Sequence, residues 1–168
     1  PHSLTVGQDA RLLAQGAPAR LVEFTAAHRE RGWKGLRFTG SGDDDVLRHC
    51  WITGVRNGME SPAFAPAGKF QLYGGAVSCS ASSPTITHCK ITNNTCARAG
   101  AVFCYESSAV IRNTVIANNA CIGGEAQSGG ICAYWDSAIR IEGCTIVNNA
   151  PGGLFSESEY GTEVIDTI

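Results

Sequence analysis

The chain has 168 residues, enough for one domain with a buried core, of which 43% are hydrophobic and only 17% charged. Twenty glycines, with abundant Ser, Thr and Asn, describe a turn-rich β protein and argue against a helical one. A net charge of −2 gives no reason to expect a nucleic-acid partner, and no run of 18 apolar residues exists to span a membrane as a helix. Residues 1–70 carry nine basic and seven acidic side chains and the remainder four and eight, so the two ends differ mildly in potential. The opening "PHSLTV" has neither methionine nor a secretory leader, as in a mature secreted protein or an excised fragment.

In chain order, "QDARLLAQ" at 8–15 is the only stretch that competes for a helix, and none of ten residues with a 3.6 period can be drawn through 74–168. From residue 47 onward the chain falls into columns. Ile-x-Asn-Asn recurs at 91–94, 116–119 and 146–149, which aligns Ile91, Ile116 and Ile146 with Ile52 before them. Leu47, Ile86, Ile111 and Ile141 form a second column, and Cys50, Cys89, Thr114 and Cys144 a third. Gly-rich segments add Val77, Val102, Ile131 and Leu154, then Cys79, Cys104, Ala133 and Ser156, while Asn94, Asn119 and Asn149 close each unit. Units of 25 and 30 residues built from short β-prone pieces cannot bury a hydrophobic face alone. They must stack as coils of a parallel β-solenoid, like residue over like about 4.8 Å away. Stacked Asn amides are then expected to bond from coil to coil as in cross-β ladders.

The repeats look like the right-handed parallel β-helix of the pectate-lyase-like superfamily. "GGAV" at 74–77 with "ITNN" at 91–94 is similar to the Gly-Gly-Ala and x-x-Asn repeats of chlamydial polymorphic membrane proteins and related bacterial surface proteins. "LTVGQDARLLAQGAPARLVEFT" followed by "GWKGLRF" resembles the entry coils of secreted bacterial β-helix proteins, which implies that "ARLLAQG" is strand. The expected fold is therefore an all-β, right-handed parallel β-helix of about five to six coils over 1–168, with uncapped ends. The coils are placed at about 4–34, 35–73, 74–99, 100–128 and 129–152, with a partial sixth from 153. The Pro/Ala/Gly-rich segment at 57–72 is expected to protrude as a loop, and "IGGEAQS" absorbs the extra length of the 30-residue unit. Such an architecture hosts lyases, hydrolases, adhesins and inert spacers alike.

The chemistry that these enzymes need is sparse here. Eight cysteines lack a Cys-x-x-Cys pair, which argues against a zinc ribbon. Cys50/Cys89 and Cys79/Cys104 fall one coil apart, as buried thiols filling a ladder or as disulfides. Cys96 and Cys121, just after the Asn turns, are the better disulfide candidates, while Cys132 and Cys144 have no evident partner. A lyase or hydrolase site would lie on the outward face near Arg112, Asp136 and Glu142, with Glu106 in the coil before; a surface ion pair between Arg112 and Glu142 is the competing reading. "SGDDD" brings Asp43, Asp44 and Asp45 together as a solvated acidic turn or a calcium site. His49 and His88 align in adjacent coils and would suit a metal, but Asn113 and Gly143 follow them in the column. Tyr105, Tyr134 and Trp135 cluster after the Gly-rich strands and are the candidates for stacking on sugar rings.

The chain begins almost directly in the entry strand and finishes inside a coil, with "VIDTI" at 164–168 aligned on "IRNTV" at 111–115. Open sheet edges at both ends point to end-to-end self-association through Leu4–Val6 and residues 164–168, which does not close and so makes a filament. The expected role is a non-enzymatic structural protein, extracellular or on a cell surface. A polysaccharide-active enzyme and a glycan-binding adhesin module are the alternatives.

Overall fold

The computed structural model describes residues 2–57, 74–123 and 128–168, and every regular element within them is a strand. The expected 57–72 loop lies, from residue 58 onward, outside the described residues, as does the middle of the 122–128 segment. Coil one carries β1 (Leu4–Val6), β2 (Leu13–Gln15) and β3 (Val22–Phe24). Coil two carries β4 (Leu36–Gly42), β5 (Val46–Arg48), β6 (Cys50–Thr53) and β7 (Arg56–Asn57). Coil three has β8 (Val77–Ser82), β9 (Thr85–Thr87), β10 (Lys90–Thr92) and β11 (Thr95–Cys96). In coil four β12 (Val102–Tyr105), β13 (Val110–Arg112), β14 (Val115–Ala117) and β15 (Ala120–Cys121) follow. Coil five contributes β16 (Ile131–Tyr134), β17 (Arg140–Glu142) and β18 (Thr145–Val147), and coil six β19 (Leu154–Glu157) and β20 (Glu163–Ile165). "QDARLLAQ" thus ends in β2, as a strand.

Strands of successive coils pair in parallel into four sheets, ordered β1-β4-β8-β12-β16-β19, β2-β5-β9-β13-β17-β20, β3-β6-β10-β14-β18 and β7-β11-β15. Register follows the sequence columns residue for residue. Ile52, Ile91, Ile116 and Ile146 lie in one ladder, continued back to Phe24. Leu47, Ile86, Ile111 and Ile141 lie in another, from Ala14 at one end to Val164 at the other. Leu36, Val77, Val102 and Ile131 make a third between Leu4 and Leu154. The interior members are fully buried, and each Ile or Leu withdrawn from water contributes about 1.5–3 kcal/mol.

Three-residue strands demand sharp corners, and in coils three to five the chain makes three of them per coil with one left-handed residue each. Gly54, Asn93, Asn118 and Asn148 share one corner, at φ of 70°, 58°, 56° and 54°. His49, His88, Asn113, Gly143 and Asp166 share the next, and Ala81, Glu106 and Trp135 the third. Asn is among the few non-glycine residues that adopt this conformation at little cost. The two asparagines of each Ile-x-Asn-Asn unit therefore divide the work: the first bends the backbone and the second turns inward.

Candidate functional site

The inward asparagines form a continuous amide ladder. Asn94 Nδ2 donates to Asn119 Oδ1 at 3.0 Å, and Asn119 Nδ2 to Asn149 Oδ1 at 3.0 Å. The same oxygens accept the Asn94 and Asn119 backbone N–H groups, each at 3.1 Å. The second amide proton of each rung goes to a carbonyl of an earlier coil: Asn94 to Ile52, Asn119 to Ile91 and Asn149 to Ile116. With Asn94 and Asn119 buried, every such group has to be paired, and it is.

The column containing Cys50, Cys89 and Cys144 is a second hydrogen-bonded ladder. Each side chain donates to the carbonyl two residues back: Cys50 to Arg48, Cys89 to Thr87, Thr114 to Arg112, Cys144 to Glu142 and Thr167 to Ile165. Three of them also accept a backbone N–H from the coil before: Cys50 N–H donates to Cys89 Sγ, Cys89 N–H to Thr114 Oγ1 and Cys144 N–H to Thr167 Oγ1. Cys and Thr share this column because both offer a small group that donates and accepts. Cys144 needs no thiol partner for that purpose.

Cys96 and Cys121, the disulfide candidates, are free thiols in the structure. The two residues are in register, but all eight cysteines are buried free thiols. In a parallel ladder like side chains leave the backbone in the same direction, whereas a disulfide needs Cβ atoms drawn to about 3.8 Å. Cys96 Sγ instead donates to Gly100 O and Cys121 Sγ to Ala97 O. Cys79 and Cys104 likewise stack as thiols, and Cys132 stands between Phe103 and Phe155 in an outward column. Burial pushes the Cys96 and Cys132 thiols up to about 12, so thiolate is scarce at neutral pH. Because all eight thiols are buried, an aromatic disulfide reagent is expected to titrate none of them in the native protein within minutes and all eight in guanidinium. Rapid native labelling, or a fall in Tm on adding a reductant, would contradict this.

The aromatic cluster is larger than Tyr105, Tyr134 and Trp135. Tyr105 and Tyr134 are in register on β12 and β16, and Tyr105 meets Trp135 at 6.1 Å between ring centres. Tyr134 also touches Phe103 at 5.7 Å and Phe155 at 5.4 Å. Both phenylalanines occupy outward positions of Gly-flanked strands, where alternation marks an exterior residue; that was their only signal in the sequence. Trp135, at a left-handed corner, is 62% exposed and borders a groove of about 500 Å³ with Asp136, Ser156, Glu157, Ser158 and Glu159. Loss of water, with Glu106 and Asp136 nearby, raises the Tyr105 phenol, which stays protonated. The other two tryptophans are engaged elsewhere: Trp33 Nε1 donates to Thr53 O and Trp51 Nε1 to Thr92 Oγ1.

The charged candidates do not converge. Arg112 Nε meets Glu142 Oε2 at 2.9 Å, Arg140 Nε reaches the same oxygen at 3.3 Å, and Arg140 pairs in turn with Glu163. Hydrogen bonds from Arg112 and Arg140 hold the Glu142 carboxyl below its usual range. It is thereby an ionised member of a surface network, ill suited to give or take a proton. Asp136 is not beside it but on the Trp135 corner. The Asp43–Asp45 triplet is also divided. Asp43 and Asp44 are exposed, whereas Asp45 is fully buried, its Oδ1 accepting Leu12 N–H at 2.7 Å and its Oδ2 the Ser41 hydroxyl at 2.5 Å. A carboxylate so committed pins β4 to coil one and stands apart from the exposed Asp43 and Asp44. Among the described residues no three His, Cys, Asp or Glu side chains group as a metal site. His49 and His88 stack in adjacent coils with ring centres 5.0 Å apart. Loss of water, then His88 and Arg48, lower His49 below its ordinary value, so it is neutral at pH 7.

The profile of the right-handed β-helix region matches residues 32–167. No curated protein and no solved structure matches the chain. The profile spans the coils whose parallel ladders are described above, from the end of coil one through coil six, and the chain accordingly belongs to the right-handed parallel β-helix family.

Proposed function

We propose that this chain is a non-enzymatic structural β-helix, extracellular or at a cell surface, that associates end to end with further copies of itself. The observation that carries the reading is the state of its terminal rungs. Inward columns that are sealed in the middle reach water at both faces: Leu4 is 43% exposed at one, Leu154 39% and Val164 48% at the other. The strands that bear them, β1 and β2 against β19 and β20, have a ladder partner on one side only among the described residues. Ten residues separate Leu4 from Ala14 and ten separate Leu154 from Val164, so a second copy can continue both columns in register. Charge favours the same pairing. Residues 1–34 hold five basic and three acidic side chains, and residues 151–168 hold four acidic and none basic. Unlike ends attract, and like ends repel. Identical units joined head to tail without closure form a filament.

Sedimentation velocity and negative-stain microscopy test this. Concentration-dependent, salt-sensitive rods are expected, and Val164→Lys is expected to shorten them. A wild-type chain that stays monomeric at every concentration would sink the proposal.

A second reading, glycan binding at Tyr105, Tyr134 and Trp135, is supported by the exposed indole beside its groove. A lyase or hydrolase around Arg112, Asp136 and Glu142 has weaker support, because Glu142 is tied between two guanidinium groups and Asp136 stands apart.

A further inference from the structure

His49 and His88 take the same corner of successive coils, both at positive φ, 50° and 55°. The backbone holds them there: His49 N–H donates to Thr87 O and His88 N–H to Arg112 O, each at 3.1 Å. The corner itself asks only for a residue that tolerates the left-handed conformation, and Asn113, Gly143 and Asp166 meet that need in the same column. Two imidazoles in succession therefore add something that the turn does not require.

What they add is a geometry. The ring centres are 5.0 Å apart with planes tilted by 43°. Two imidazoles on one tetrahedral ion, at a metal–nitrogen distance of ~2.1 Å, place their ring centres about 5 Å apart. No hydrogen bond engages either ring among the described residues, and His88 stands at the exposed end of the pair. Among the described residues no carboxylate joins the pair as a third ligand, which disfavours hard ions such as calcium and magnesium and favours those that prefer imidazole nitrogen.

We infer that His49 and His88 form a binding site for a divalent ion of the Ni²⁺, Cu²⁺ and Zn²⁺ class, each histidine giving one ring nitrogen and water completing the coordination. The site bridges coils two and three, so the ion clips two rungs of the helix together. It is independent of end-to-end association.

The test is a Ni²⁺ titration of the tag-free chain, followed by NMR of the histidine ring protons and by calorimetry. Nickel is chosen because Cu²⁺ oxidises thiols. The paramagnetic ion is expected to broaden the His49 and His88 signals at substoichiometric Ni²⁺, ahead of His2 and His28. In His88→Asn, which retains a residue suited to the corner, the calorimetric affinity is expected to fall at least tenfold; His2→Ala with His28→Ala is expected to leave it unchanged. Equal broadening of all four histidines, unaltered affinity in His88→Asn, or a nickel–thiolate absorption band with unchanged imidazole signals would overturn the assignment. The wild-type broadening decides the matter even if the variant folds poorly.

Discussion

Gly100→Ala is expected to abolish cooperative folding or to cost about 4 kcal/mol or more, the range reached by overpacking that cannot relax. A Cβ at residue 100 would lie 2.1 Å from the Gly129 carbonyl oxygen, 2.9 Å from the Ala120 nitrogen and 2.9 Å from the Asn119 Cβ. Two of those neighbours are backbone atoms, one in the next coil and one across its own coil, so no side-chain rotation relieves the contact. The same residue donates its N–H to Ser128 O and accepts from Ala76 N–H, both at 3.2 Å, so any shift that admits a methyl group also breaks the rungs above and below. Gly152→Ala is the control, since nothing lies within 4 Å of its added Cβ. Denaturant unfolding of the pair is the measurement. A Gly100→Ala protein within 1 kcal/mol of Gly152→Ala would mean that the coils are spaced more loosely than described.

The second large effect is expected at Asn119→Ala, with a loss of roughly 3–5 kcal/mol as several buried groups each forfeit about 1–3 kcal/mol of hydrogen bonding. Removing this middle rung strands the Asn94 backbone N–H and one Asn94 amide proton, both of which point at Asn119 Oδ1. It also deprives Ile91 O and Asn149 Oδ1 of the Asn119 Nδ2 donor. The neighbouring Asn118→Gly is expected to change stability by less than about 0.5 kcal/mol, because that residue is exposed and needs only a positive φ, which Gly adopts freely. Equilibrium unfolding of the two variants separates the bending asparagine from the bonding one. Equal effects would erase the division of labour between them.

Periodicity made the stack legible in the sequence. Like residues at intervals of 25 and 30 predict which side chain lies over which, and Ile91, Ile116 and Ile146 do share one ladder. The asparagine rungs followed from the same columns, because a side-chain amide offers both a donor and an acceptor and so can hand a hydrogen bond along a repeat. Phe103 and Phe155 were harder to foresee, since a Gly-flanked aromatic on an outward position does not announce the neighbours that Tyr134 supplies. The acidic triplet was the least legible: three adjacent aspartates look alike in one dimension, yet the chain rotates Asp45 inward to receive the Leu12 amide 33 residues away.

The sequence by itself determined the fold class, the register of the coils and the inward columns, since these depend on local periodicity and on the need of each rung for a partner. Only the tertiary structure decided the state of the thiols, the tie of Glu142 between Arg112 and Arg140, and the tilt between the His49 and His88 rings. The reason is directional. A column says that two side chains belong to neighbouring rungs, but whether they bond, bridge or merely stack depends on the angle at which each leaves a backbone held about 4.8 Å from the next.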